Sequence, residues 1–276
     1  MPIENGLTHA EYLSRRAISN SLMTDLKKSP AYCWAMNMNP VRPKRKSTSA
    51  MLAGTLAHCM ILEPDEFQHR YSVRPDGMDL RTKAGKEWQE RQYGREPATL
   101  QQEDDAMAQR AAVLAVPELA EIMSSGEPEL SVFWTDDATG LQCKARPDWL
   151  HQRKDGRCVI LDLKTTSENG PDDFGRSVNT WGYHRQAAHY IDGVEVCGLD
   201  VAEFRFAIVT SAYPFLAYTA VLDEDTLQQG REEVAELRAL YADCQRTNHW
   251  PHHVGTQIVG LPNWARRSIE IEVGYV

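Results

Sequence analysis

Two short stretches of the sequence carry charged side chains at a spacing that could do phosphate chemistry. The first runs from Lys144 through Arg146 to Asp148, and the second contains Asp162 and Lys164. Residues two positions apart in a strand point to the same face of a sheet, so each stretch presents its charges on one side. Two carboxylates held close together repel each other, and a divalent cation is the natural compensation. A lysine beside them could stabilise the charge that develops at a phosphate or help to deprotonate an attacking water.

A pair of strands is needed to bring these two stretches together. The segments 141–146 and 159–163 are short and strand-like, and turn-forming residues lie between them at 154–156. We therefore expect a hairpin that places Asp148 near Asp162, with Lys164 beside them. The alternative is a solvent-exposed hairpin with salt-bridging charges. Against it, Asp162 and Lys164 interrupt an otherwise apolar strand, where a buried carboxylate needs a partner.

The remaining pattern predicts an α/β (α+β) fold with a central mixed β-sheet flanked by helices. We expect helices over 8–27, 50–62, 101–123, 183–194 and 224–245, and further strands over 130–134, 203–211 and 216–222. A basic loop at 42–46 faces either solvent or DNA, and residues 64–100 are predicted to be irregular. The expected organisation is a single domain, 1–276, with an N-terminal helical and basic-loop segment over 1–50, a catalytic core over 51–223, and a C-terminal helix and tail over 224–276.

The composition limits the partners that the protein can bind. The chain has 30 Lys and Arg against 39 Asp and Glu, and its net charge of −9 excludes a strongly basic nucleic-acid coat and a polybasic membrane anchor. None of the 6 cysteines forms a CxxC pair, so neither a zinc ribbon nor an iron–sulfur cluster is expected. Because no apolar run of about 18 residues and no N-terminal signal pattern occurs, we expect a cytoplasmic protein without membrane contact.

Several motifs resemble those of one nuclease superfamily. Pro147-Asp148, followed after thirteen residues by Asp162-Leu163-Lys164, is similar to the pattern of the PD-(D/E)xK nucleases. Gly54-Thr-Leu-Ala-His58 resembles the helical GxxxH element of its RecB-like branch, although such a histidine alone is more typical of a core. Glu129 matches the upstream acidic residue, which could also be an exposed strand-end carboxylate. Gln186 and Tyr190 match the QxxxY element and share one helix face.

Within this branch, the chain resembles the nuclease domain of RecE-type enzymes, exodeoxyribonuclease VIII, over residues 12–260. The stretches that carry the likeness are Ser29-Pro-Ala31, Gly54–Pro64 and Leu161–Thr166. The resemblance implies a 5′→3′ exonuclease that degrades one strand of linear double-stranded DNA and leaves 3′ overhangs for recombination by strand annealing. It also implies duplex ends as substrate, a RecT-like annealing protein as partner, and a homo-oligomeric ring, with a tetramer favoured over a trimer.

The same resemblance implies roles for the matching residues. Those that would hold Mg²⁺, or Mn²⁺ as a substitute, are His58, Asp148, Asp162, the backbone carbonyl of Leu163 and, for a second ion, Glu129. Lys164 would position or activate the attacking water. Gln186 and Tyr190 would orient Lys164 or the DNA backbone.

Four further residues are candidates for DNA contacts because of their positions. Lys144 and Arg146 share the expected strand face of Asp148, so either could reach a phosphate. Thr165 and Thr166 end the strand that carries Lys164, and their hydroxyls could bind a phosphate independently of sequence.

Other functions are open at this stage. Another RecB-type or Cas4-like nuclease would share the site and differ in polarity or oligomeric state, although the Cas4-like option lacks its cysteine ligands here. A non-catalytic DNA-end-binding module of the same fold would be favoured had Asp148, Asp162 or Lys164 been lost, and all are present. An unrelated α/β enzyme is disfavoured, because the sequence contains neither a Gly-rich phosphate loop nor a GxSxG element.

Overall fold

The computed structural model describes residues 3–43, 48–167, 170–252, 254–256 and 258–261. The helices within these ranges are α1 (His9–Ser14), α2 (Asn20–Lys28), α3 (Pro30–Asn37), α4 (Ser49–Leu62), α5 (Phe67–Arg70), α6 (Lys83–Glu90), α7 (Leu100–Leu114), α8 (Pro117–Met123), α9 (Pro171–Trp181), α10 (Tyr183–Val196) and α11 (Glu224–Thr247). The strands are β1 (Ile3–Glu4), β2 (Tyr71–Val73), β3 (Glu96–Ala98), β4 (Glu127–Pro128), β5 (Ser131–Thr135), β6 (Gln142–Ala145), β7 (Trp149–Gln152), β8 (Cys158–Thr166), β9 (Val201–Thr210) and β10 (Ala217–Val221).

The central element is a five-stranded sheet in the order β10-β9-β8-β7-β4. Strands β8 and β9 are parallel, and the other neighbours are antiparallel. Side chains alternate along β8, so Ile160 packs with α10 and α11 on one face while Leu161 and Leu163 pack with α4 and α7 on the other. The mixed sheet with helices on both faces confirms the predicted fold class.

The prediction that segment 141–146 pairs with β8 is wrong. Segment 141–146 forms β6, which pairs with β5 in a separate three-stranded sheet of order β1-β5-β6. The strand that pairs with β8 is β7, which the sequence analysis missed and which follows Asp148 directly. Pro147 lies between β6 and β7, and its missing N–H removes a ladder donor where the chain leaves one sheet for the other.

Two long predicted helices are each divided in the structure. Residues 8–27 form α1 and α2, separated by an extended segment in which the Ile18 amide donates to the Gln142 carbonyl (2.8 Å). The Ser19 side chain then caps α2. Residues 101–123 form α7 and α8, because Pro117 begins a new helix after an extended Val116. Helices α3 and α9 were not predicted.

The segment 64–100 is more ordered than expected. It contains α5, α6 and a parallel two-stranded ladder in which Tyr71 pairs with Glu96. Phe67 and Tyr71 are buried against α4, where they form part of a separate small core. Among the helices of the described ranges, none is both long and apolar enough to cross a membrane.

Candidate active site

Strand β8 and helix α10 hold three of the predicted residues in direct contact. Asp162 and Lys164 lie on the α10 face of β8, and Asp162 is only 1% exposed. The Lys164 ammonium is ion-paired with Asp162 Oδ2 and donates to Gln186 Oε1 at 3.1 Å. The Gln186 Nε2 atom in turn donates to Asp162 Oδ1 at 2.6 Å. Gln186 therefore fixes the positions of both charged groups at once.

Asp148 joins this group through the pairing of β7 with β8. Trp149 pairs with Leu161, so the register continued by one residue places Asp148 opposite Asp162. The Leu163 amide donates to Asp148 Oδ2 at 2.6 Å, and the same oxygen lies 3.8 Å from His58 Nδ1 on α4. Asp148, Asp162, Lys164 and His58 thus converge as predicted, although through β7 rather than β6.

Glu129 reaches the same region from the connection between β4 and β5. Its backbone has a φ of 54°, a left-handed conformation that is uncommon for a residue with a side chain. Its amide donates to the Asp148 carbonyl at 3.1 Å. Its carboxylate pairs with Arg146, whose Nε lies 2.6 Å from Glu129 Oε2. The guanidinium of Arg146, a predicted phosphate contact, is therefore engaged by a carboxylate in this structure.

Two carboxylates of the site, Asp148 and Glu129, have raised pKa values. Burial, reinforced by the neighbouring Asp162 charge, raises the pKa of Asp148 to about 7. Burial and the Asp148 charge raise the pKa of Glu129 to about 7 as well. Burial alone would lower the pKa of Lys164, but the carboxylates outweigh it and the pKa is raised, so the ammonium stays charged. The site holds more negative charge than its two cations neutralise.

The donor set fits a hard divalent cation chemically. Carboxylate groups with a nearby backbone carbonyl suit Mg²⁺ or Mn²⁺, and the His58 imidazole adds one softer nitrogen donor. The buried Asp162 Oδ2 accepts no hydrogen bond of good geometry from the described residues, and the Lys164 ammonium supplies positive charge beside it. In that part of the chain, no three His, Cys, Asp or Glu side chains converge tightly enough to form a ready metal cage. The residues therefore fit an ion by chemistry and charge.

Tyr190 and the two threonines lie around this centre. Tyr190 is hydrogen-bonded to Gln186, and burial raises the pKa of its phenol well above the usual value, so it stays protonated. Thr165 lies at the end of β8 close to α4, where a Cβ at Gly54 would meet its hydroxyl at 3.5 Å. The Thr166 carbonyl accepts from the Ser211 amide at 2.7 Å.

Lys144 does not join the carboxylates, and the prediction that it shares a strand with Asp148 is wrong. It lies on β6, is 5% exposed, and donates to the carbonyls of Tyr12 (2.9 Å) and Arg15 (2.7 Å). Of the predicted basic loop, Arg42 donates to the Asn37 carbonyl at 2.6 Å, while residues 44–46 lie outside the described ranges.

One side of the cleft, opposite the carboxylates, was not predicted from the sequence. A cleft of about 2030 Å³ contains Asp148 and is bounded on one side by the N-terminal segment 5–22. Arg146 donates to the Leu7 carbonyl at 3.0 Å, and Lys144 donates to the Tyr12 carbonyl at 2.9 Å. Both basic residues therefore hold the N-terminal segment in place beside the cleft. Contacts between backbone carbonyls and residues more than a hundred positions away leave no signal in a sequence pattern. Tyr183, whose ring centroid lies 4.5 Å from the Lys164 ammonium, was also missed, because nothing in the sequence shows that its ring packs against β8.

Comparison with known proteins agrees with this fold. Residues 19–257 match the family described as a PDDEXK-like domain of unknown function (DUF3799). The chain belongs to this PDDEXK-like family. The solved structure of a "putative exonuclease" from Eubacterium rectale is similar to it, with a TM-score of 0.58 and 18% identity over 93% of this chain and 97% of that one. This likeness shows a shared fold.

A second solved structure, that of SSO0001, matches the PDDEXK-like chain with a TM-score of 0.29 and 14% identity, over 68% of this chain and 86% of that one. No curated protein gives a significant sequence match.

Proposed function

We propose that this PDDEXK-like protein is a divalent-metal-dependent DNA nuclease. The observation that carries the proposal is the convergence of Asp148, Asp162 and Lys164 where β7 pairs with β8, with Asp148 lining a large cleft. Two buried carboxylates beside a charged lysine are costly to maintain, and clusters of perturbed groups in a cleft are typical of functional sites. Family membership makes phosphodiester hydrolysis the favoured chemistry.

Each residue of the site has its own proposed role, which follows from its position. His58, Asp148, Asp162 and the Leu163 carbonyl would hold Mg²⁺ or Mn²⁺, with Glu129 available for a second ion. A divalent ion bound there supplies Lewis acidity toward the scissile phosphate and a water of lowered pKa. The Lys164 ammonium donates to a phosphoryl oxygen and stabilises the charge that develops on it. Gln186 holds that ammonium in place, and half-buried Tyr190 holds Gln186.

The finer activity that we propose is 5′→3′ digestion of one strand of linear duplex DNA, which leaves 3′ overhangs for annealing. The RecE-like motifs support it, and so does the large volume of the cleft. We also propose a ring of identical subunits, with a tetramer favoured, that delivers its product to a RecT-like annealing protein. Arg146, Thr165 and Thr166 are the proposed phosphate contacts. Lys144 acts indirectly, because its ammonium holds the cleft wall.

End-labelled DNA tests this proposal. Linear duplex carrying a label at either the 5′ or the 3′ end of one strand is incubated with protein and Mg²⁺, beside covalently closed circular duplex. We expect early release of labelled mononucleotide from the 5′ end, intact circles, and no release in EDTA. Rapid mononucleotide release from the 3′ label alone would overturn the polarity, and activity that survives chelation would overturn the metal dependence.

A further inference from the structure

A second, smaller groove opens beside the cleft on the segment 64–100. It has a volume of about 410 Å³, within the range of small-ligand sites. Thr55, Arg70 and Tyr71 line both this groove and the cleft, so the two are continuous. Thr55 precedes His58 by three residues on α4, which places both side chains on one helix face. The groove therefore begins one helical turn from the candidate metal ligand.

The most unusual residue of the groove is Tyr93. Its side chain is 93% exposed, although large aromatic side chains usually contribute burial to a fold. Its backbone φ of 53° is left-handed, which is a genuine outlier for a bulky residue. Gly94 follows it with a φ of 85°, so the turn projects the ring away from the core. The fold gains little from a tyrosine here, which points to a role in binding.

The charged neighbours of Tyr93 are already held by other groups. The Arg95 guanidinium donates to the Gln92 carbonyl, Gln92 Oε1 and the Gln68 carbonyl, each at 3.2 Å. Arg70 forms a two-pronged ion pair with Glu63, at 2.7 and 2.8 Å. Glu96 also lines the groove. The Arg70 charge is neutralised by Glu63, and the Arg95 donors are taken up by backbone and amide oxygens. The groove is therefore suited to stacking on the exposed Tyr93 ring rather than to a clamp on several phosphates.

We propose that this groove binds unpaired DNA bases next to the cleavage site, with one base stacked on Tyr93. This inference rests on the proposed nuclease function, which brings DNA to the cleft. The occupant is single-stranded, because bases within a duplex cover each other's faces, whereas both faces of an unpaired base are open to a side-chain ring. Stacking tolerates any base, so the groove binds DNA without sequence preference.

Binding of a single strand without cleavage tests the groove directly. Fluorescence anisotropy with a labelled oligo(dT) of roughly 10 nucleotides is measured in EDTA for the wild type, Tyr93→Ala and Tyr93→Phe. Tyr213→Ala is the matched control, because Tyr213 is also highly exposed (87%) but lines neither the cleft nor the groove. We expect Tyr93→Ala to raise Kd at least about 5-fold, and Tyr93→Phe and Tyr213→Ala to stay within about 2-fold of wild type.

Salt separates stacking from charge. We expect the ratio of the Tyr93→Ala and wild-type Kd values to be the same at about 50 and about 200 mM salt, since no ion pair with phosphate is lost. Equal affinities of the wild type and Tyr93→Ala for the oligonucleotide would overturn the groove proposal. An equal loss of affinity in Tyr213→Ala would also overturn it, as would a wild type that does not bind the oligonucleotide. If Tyr93→Ala weakens binding but the wild type cuts no DNA, the nuclease proposal fails and the groove stands. If the wild type cuts DNA but Tyr93→Ala binds the oligonucleotide as tightly as the wild type, the groove proposal fails and the nuclease proposal stands.

Discussion

Helix α10 contributes to two charged clusters that differ in their balance of charge. In the first, which we call the active-site cluster, Gln186 contacts Asp162 and Lys164, and Asp148 lies beside them at the edge of the cleft. In the second, which we call the Glu233 cluster, Glu233 of α11 receives bonds from Lys27 at 2.7 Å, His184 at 3.2 Å and Arg185 at 3.1 Å. One cluster has an excess of carboxylates, and the other surrounds a single carboxylate with donors.

The pKa values show what this difference means. Burial and a like charge raise the pKa of Asp148 to about 7. Burial also acts to raise the pKa of Glu233, but hydrogen bonds from Lys27 and His184 outweigh it and lower the pKa to about 2. A satisfied cluster stabilises the packing of α2, α10 and α11. An unsatisfied one costs stability that a bound cation could return, which is the usual mark of a functional site.

The largest expected effect is the loss of activity in Asp148→Asn. The amide can still accept from the Leu163 amide, but it removes the charge that would hold a divalent ion, so the rate of mononucleotide release with Mg²⁺ should fall about 1,000-fold. Asp155→Asn is the control, because Asp155 lies exposed in the turn between β7 and β8 and pairs with Arg157. Wild-type digestion by Asp148→Asn would remove Asp148 from the metal site.

A smaller loss is expected for Gln186→Ala. This change leaves both charges in place and removes only the side chain that orients them, so the turnover rate at saturating DNA should fall about 10- to 100-fold. The KM for DNA should change little, because Gln186 is a positioning residue. Gln228→Ala serves as the control, because Gln228 lies exposed on α11. An unchanged turnover rate would show that Lys164 is oriented by other groups.

In the Glu233 cluster, the expected effect is on stability alone. Glu233→Gln leaves Lys27 and Arg185 without their counter-charge, which should lower the free energy of unfolding by about 2 kcal/mol and Tm by about 4–8 °C. Nuclease activity below Tm should match the wild type. Thermal unfolding followed by circular dichroism measures the first effect. A loss of activity without a loss of stability would break the distinction between the two clusters.

The two clusters should respond to pH in opposite directions. The pKa of Glu233 is depressed, so its contribution is present above pH 4.5 and is lost as the pH falls toward about 2. The pKa of Asp148 is raised, so stability present at about pH 4 is lost as the pH rises through about 7 in metal-free protein. We expect Tm in EDTA to fall by a few degrees between about pH 5 and 8, with a smaller fall in Asp148→Asn. An equal fall in Tm with pH for the wild type and Asp148→Asn would contradict the assignment of this pH dependence to Asp148.

The sequence predicts the active-site cluster better than the sheet that carries it. Asp148, Asp162 and Lys164 could be placed together because period-two alternation and the spacing of the motif depend only on local sequence. The choice of β7 over β6 could not be made, since both segments are short, both mix apolar and polar residues, and both precede the same turn. Long-range polar contacts were also invisible. Lys144 looked like a phosphate ligand, yet its partners are the backbone carbonyls of Tyr12 and Arg15.

The segment 64–100 shows a second limit. Its mixture of charges, prolines and glycines indicates loops, but Phe67 and Tyr71 supply enough apolar surface to dock it on α4. Parallel pairing between β2 and β3 joins residues 25 positions apart, and nothing in either three-residue strand specifies its partner.

The most direct test of the central claim compares Lys164→Ala with Lys154→Ala under single-turnover conditions, on linear duplex with Mg²⁺. Both lysines belong to the β7–β8 hairpin region, but Lys164 contacts Asp162 and Gln186, whereas Lys154 lies exposed in the turn. We predict that Lys164→Ala cuts at least about 1,000-fold more slowly while retaining a cooperative thermal transition, and that Lys154→Ala matches the wild type. Digestion of the duplex by Lys164→Ala at the wild-type rate would contradict the assignment of this cluster as the catalytic centre.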